Sequence, residues 1–133
     1  MTRLLIADSD SDCREKLRSM LAQAGYSIVV TDSVASVLDA ALNGKADVIL
    51  LGQNCDDLGA AELVPLLKRC NRNIPIILVS GDQPLSIMRR LRTEGIFFHA
   101  RKSFEPEARQ ELLEAIRCAL KNLLRPQSPC GSY

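Results

Sequence analysis

Short apolar runs and amphipathic stretches alternate five times along the chain, and this alternation constrains the fold more than any other feature. The apolar runs are RLLIAD (3–8), YSIVVT (26–31), ADVILLG (46–52), IPIILVS (74–80) and IFFHARK (96–102). Strand-then-helix units in series predict a parallel sheet with helices on both faces, because crossover connections are right-handed. ADVILLG is nearly all apolar, as a strand covered on both faces must be. In such sheets functional groups collect at the carboxyl ends of the strands. The residues that matter are then Asp8 to Asp12, Thr31, Gly52 to Asp57, Ser80 to Asp82 and Arg101 to Ser103.

The stretches between the runs carry helical signals. In CREKLRSMLAQAG, residues Cys13, Leu17, Met20, Leu21 and Ala24 share helical spacing, and Gly25 is a stop. Asp32 or Ser33 can cap VASVLDAALNG, where Val34, Val37, Leu38, Ala41 and Leu42 share a face. In AAELVPLLKRC, Pro65 either falls in the first turn or kinks the helix. PLSIMRRLRTEG starts on proline and ends on glycine. The last helix, 105–125, has Leu112, Ile116, Ala119, Leu120 and Leu123 on one stripe, with acids leading and Arg117, Lys121 and Arg125 trailing, the order that suits the helix dipole.

The chain has 133 residues, enough for one domain with a real core, and this reading assigns 1–124 to the domain and 125–133 to a linker or disordered tail. A formal net charge of +1 gives no support for a protein that coats nucleic acid. No apolar run approaches the roughly 18 residues a membrane span needs, and the start is too soon acidic for a signal peptide, so a cytoplasmic protein is expected. The five cysteines form no CxxC, and with one histidine in the chain no zinc site assembles by spacing. Four of them are expected to act as small buried hydrophobes, Cys55 among them, with Cys130 exposed in the tail.

DSDSD (8–12) has the look of a calcium loop, but Cys13 stands where an EF-hand needs glycine and Ser19 where it needs an acid. The pattern instead resembles the receiver domains of two-component response regulators, over residues 3 to about 124 and in the order of every element. Asp8 matches the first acid of that family's acidic pair, Ser80 its switch hydroxyl and Lys102 its lysine. DVILLG matches the strand whose last residue is the phosphoacceptor aspartate. The resemblance implies an α/β fold, a doubly wound five-stranded parallel sheet of order 2-1-3-4-5, flavodoxin-like. It also implies a signalling module rather than an enzyme. Against that pattern Gly52 stands at the phosphoacceptor position, Ser9 at the second acid, Ser103 at the proline after the lysine and His99 at the aromatic switch. The family's covalent chemistry is therefore expected to be lost, leaving a pseudo-receiver with a degenerate pocket of Asp8, Ser9, Gly52, Ser80 and Lys102.

No cofactor is expected beyond weak magnesium at Asp8, because one carboxylate without a phosphoryl group is a poor site for a reluctantly dehydrated ion. Asp8 and Lys102 are expected to pair across the site, directly or through a water. The Lys102–Ser103 bond is expected to be trans, because only proline makes cis inexpensive. The partner is expected to be a signalling protein or effector domain, with a homodimer through the fourth helix, fifth strand and fifth helix as a further possibility. Phe97 and Phe98 are adjacent in a strand and cannot both point inward, so one can anchor that surface, beside His99, Arg89 and Arg90. Two alternatives stay open at this point. One is a true receiver phosphorylated on Asp56 or Asp57. The other is a nucleic-acid adaptor using Arg89, Arg90 and Arg92, with Arg101 and Lys102 adding to the cluster.

Overall fold

The structure, a computed structural model, describes residues 2–124. The tail expected at 125–133 lies outside the described residues. Five strands form one parallel sheet: β1 (Arg3–Ala7), β2 (Ser27–Thr31), β3 (Val48–Leu51), β6 (Ile76–Ser80) and β7 (Phe98–Arg101). Their order, β2-β1-β3-β6-β7, is the expected 2-1-3-4-5 once a small extra hairpin is set aside. That hairpin, β4 (Asn54–Cys55) with β5 (Leu58–Gly59), follows β3. The helices are α1 (Ser11–Gln23), α2 (Val34–Leu42), α3 (Ala60–Cys70), α4 (Leu85–Glu94) and α5 (Pro106–Leu124).

The sheet separates two cores. Leu4, Ile6, Val48, Leu50, Ile77 and Val79 face α1 and α5. Leu5, Ala7, Ile49, Leu51, Ile76 and Leu78 face α2, α3 and α4. Successive side chains of a strand point to opposite faces, so a sheet covered on both sides requires the unbroken apolar runs seen in the sequence. Burying each such leucine or isoleucine contributes roughly 1.5–3 kcal/mol. That sum fixes where each strand starts and stops, and so fixes which residues emerge at its carboxyl end.

Local signals explain most helix ends. Asp10 caps α1, its side chain accepting from the Asp12 and Cys13 amides. Ser33, the second of the two candidates, caps α2 by accepting from the Ser36 amide. Gly95 ends α4 at φ 103°, a left-handed conformation that glycine adopts without strain. Pro65 lies inside α3, past its first turn.

Two expectations need correction, and one element was not foreseen. Leu42 does not join the buried face of α2: it sits in the last turn at 65 % exposure, and Ala40 is buried beside Val37 and Ala41 instead. Cys118 is exposed on α5, so it does not pack as a core hydrophobe. The hairpin was not anticipated, because two-residue strands carry no readable period.

Candidate functional site

The carboxyl edge of the sheet gathers Asp8 after β1, Gly52 after β3, Ser80 at the end of β6 and Lys102 after β7. Asp8 is only 4 % exposed. Its amide donates to the Thr31 carbonyl at 3.1 Å, its Oδ1 accepts from the Asp10 amide at 3.0 Å, and its carbonyl accepts from Arg14 Nη1 at 2.6 Å. β2, the loop after β1 and α1 thus hold Asp8 in place, with its carboxylate turned inward.

Gly52 is buried, and its amide donates to the Ala7 carbonyl at 2.8 Å. Its φ is not in the left-handed region, so the backbone itself does not demand glycine. Space does. A Cβ built on Gly52 would overlap the Asp8 carboxyl group, both oxygens included. The acid side chain lies in the volume that any side chain at position 52 would enter.

Lys102 is brought to this site but not to the expected partner. Its ammonium pairs with Asp10 Oδ2 at 2.9 Å, not with Asp8. Asp8 is buried with one oxygen already engaged, whereas Asp10 keeps an exposed carboxylate within reach of a partly exposed lysine. The hydrogen bond from Lys102, assisted by the Cys13 amide, holds the Asp10 carboxyl below its ordinary pKa. The same bond raises that of Lys102, with Asp10 and Asp8 adding attraction. Cys13 lies beneath, and burial followed by repulsion from Asp8 pushes its thiol up to about 12. Burial likewise pushes the Cys55 thiol up to about 11, so both are unreactive packing residues, as expected of Cys55. No cis peptide bond occurs among the described residues, so Lys102–Ser103 is trans.

Ser80 is 1 % exposed and faces His99 on the neighbouring strand. Its Oγ donates to the Gly81 carbonyl at 3.1 Å and lies 2.9 Å from His99 Nε2. His99 is therefore turned toward Ser80 and only partly exposed. Phe97 and Phe98 are both 36 % exposed, so neither is buried in the core. Arg89 and Arg90 are exposed on α4.

The β4–β5 hairpin laces the neighbouring loops together. Ser9 donates its amide to the Asn54 carbonyl at 2.9 Å, and the Asp56 amide donates to the Asp32 carbonyl at 3.1 Å. Asp56 adopts φ 53° at the turn and aims its Oδ2 at the Val34 amide, 2.7 Å away, at the start of α2. The sequence reading missed this helix-start role, along with Asp10 as the partner of Lys102 and Arg14 as a clamp on Asp8. Only Asp10 carried a usable signal, as an acid just ahead of a helical period.

Five parallel strands in the order β2-β1-β3-β6-β7, with an acid after the first strand, a hydroxyl on β6 and a lysine after β7, define a receiver-type α/β domain. The family model described as "Response regulator receiver domain" matches residues 4–117, and the chain belongs to that family of signalling modules. A CheY-like receiver domain protein from Methanospirillum hungatei JF-1 superposes with a TM-score of 0.81 at 20 % identity, over 92 % of this chain and 95 % of that one. A receiver domain protein from Clostridium thermocellum gives 0.81 at 21 % identity, over 94 % and 100 %. Among curated proteins, "Response regulator MprA" of Mycobacterium sp. (strain KMS) is 27 % identical over 128 residues, 96 % of this chain and 54 % of the relative. "DNA-binding transcriptional regulator NtrC" of Bradyrhizobium sp. is 26 % identical over 102 residues, 77 % of this chain and 21 % of the relative. The chain thus spans between a fifth and about half the length of these curated relatives. No helix among the described residues is long and apolar enough to cross a membrane.

Proposed function

We propose that this chain is a receiver-like module that signals without being phosphorylated, through contact with a protein partner or an effector domain. The observation that carries this reading is Gly52. It offers no nucleophile at the end of β3, and the Asp8 carboxyl group fills the space where one would begin. The surrounding groups support it. Ser9 supplies a neutral oxygen where a second acid would help hold a metal, and Lys102 places an ammonium on Asp10. A divalent cation does not fit this donor set, since Asp8 Oδ1 is committed to an amide and the Asp10 carboxylate to a lysine.

Phosphorylation on Asp56 is disfavoured by what its carboxylate already does. It accepts from the first amide of α2, and a phosphoryl group there would break that contact. Asp57 is exposed at the same turn and faces no cation in any ion pair of the described residues. The partner surface in this reading is α4, β7 and α5, with Phe97 and Phe98 as apolar anchors.

The test is intact mass after incubation with acetyl phosphate and magnesium. The expected outcome is an unchanged mass. A gain of one phosphoryl group, mapped to Asp56 or Asp57, would replace this reading with that of a true receiver.

A further inference from the structure

Charge is unevenly matched on the surface. Seven ion pairs bind cations to carboxylates among the described residues, yet none involves a cation between Leu63 and Thr93. That stretch holds six cations (Lys68, Arg69, Arg72, Arg89, Arg90 and Arg92) and one acid, Asp82. Three of the six converge. Lys68 and Arg69 in the last turn of α3, and Arg72 just beyond it, line a recess of about 400 Å³ with Pro65, Glu94 and Gly95. The recess lies between the carboxyl ends of α3 and α4, at the opposite edge of the sheet from Asp8 and Gly52.

A helix carboxyl end attracts a cation, and Lys68 fills that role. Its Nζ donates to the Ile74 carbonyl at 3.0 Å and the Arg72 carbonyl at 3.5 Å. Burial without a carboxylate lowers its pKa. The glycine at 95 brings the α4 terminus close, since a Cβ there would lie 3.4 Å from Lys68 Cε. Arg69 and Arg72 have no such duty: both are exposed, and neither side chain donates to a protein group among the described residues. Two arginines without an ion-pair partner among the described residues and a half-buried lysine thus line a recess whose one carboxylate is Glu94. Guanidinium forks suit phosphate oxygens in pairs, and the volume lies in the range of small-molecule sites.

We propose that this recess binds a small phosphate-bearing anion of pyrophosphate size, a free polyphosphate or the diphosphate end of a nucleotide. A nucleic-acid backbone fits less well, because Arg89, Arg90 and Arg92 do not line the recess and the three cations that do share one small cavity.

The test is calorimetric titration of the full chain with inorganic pyrophosphate at low salt. Saturable one-site binding is expected, and Arg69→Ala with Arg72→Ala should weaken it at least about tenfold, as loss of charge-assisted bonds implies. Arg69→Lys with Arg72→Lys should recover part of the loss. Arg89→Ala with Arg90→Ala should leave affinity within about twofold, the change expected from long-range screened charge alone. All these positions are exposed, and an unchanged melting temperature will verify that each variant folds. Absence of saturable binding overturns the proposal. So does equal weakening by both alanine pairs, which would mean diffuse cationic attraction, or tighter binding of a DNA oligonucleotide that pyrophosphate does not displace. None of these outcomes depends on whether the Asp8–Gly52 pocket is phosphorylated.

Discussion

Asp8 and Gly52 contend for one volume, and that contest can be measured. Gly52→Ala adds a methyl group against the buried carboxyl, so Asp8 must swing away and give up the Asp10 amide. Overpacking of this kind costs about 1–3 kcal/mol. In an Asp8→Ala background the three atoms nearest the added methyl are gone, and the penalty should largely vanish. Urea denaturation of the four proteins in this cycle checks the coupling; additive penalties would show that the overlap relaxes elsewhere. The positions of Asp8, Gly52, Ser80 and Lys102 were legible in the sequence, because each sits where an apolar run ends. The partner of Lys102 was not. Asp8 and Asp10 are two residues apart, and only the fold decides which carboxylate is buried against an amide and which is left for a lysine to reach.

Helices, strands and loops meet at two ties on the carboxyl edge. The Lys102–Asp10 pair joins the β7 end to the start of α1. Folding favours the ionised Asp10, whose pKa is lowered from 3.8, so its contribution is present above that value and lost as pH falls through the lowered one. Folding favours protonated Lys102, raised from 10.5, so its contribution is present below that value and lost as pH rises through the raised one. Wild type and Lys102→Ala should differ in melting temperature across this plateau and converge at both extremes. A constant difference at every pH would assign the loss to packing instead. The second tie is Asp56 on α2. Asp56→Ala removes an acceptor at a helix start and should lower stability by about 1 kcal/mol, read from the denaturation midpoint. The helices themselves followed from periodicity, except where one reaches past the sheet: Leu42 keeps the period of α2 but finds no strand beneath it. The hairpin stayed hidden because contacts with Ser9 and Asp32, distant in sequence, hold it in place.

At the scale of the whole molecule, two exposed aromatics mark one edge of the sheet. Phe97 and Phe98, each 36 % exposed, stand at the β7 edge, which follows α4 in the chain. Phe97→Ser with Phe98→Ser should weaken self-association or partner binding seen by light scattering, with little change in stability, because neither ring belongs to either core. A wild-type monomer at high concentration whose partner binding survives both substitutions would exclude this surface. A glycine at the end of β3 also has a bearing on time. A carboxylate that is modified and later hydrolysed gives a message a lifetime, set by chemistry inside the domain. Gly52 cannot be loaded or emptied, so under the proposed function the module keeps no clock. On that proposal, what the chain reports is abundance: how many copies are present, and how many partners compete for them.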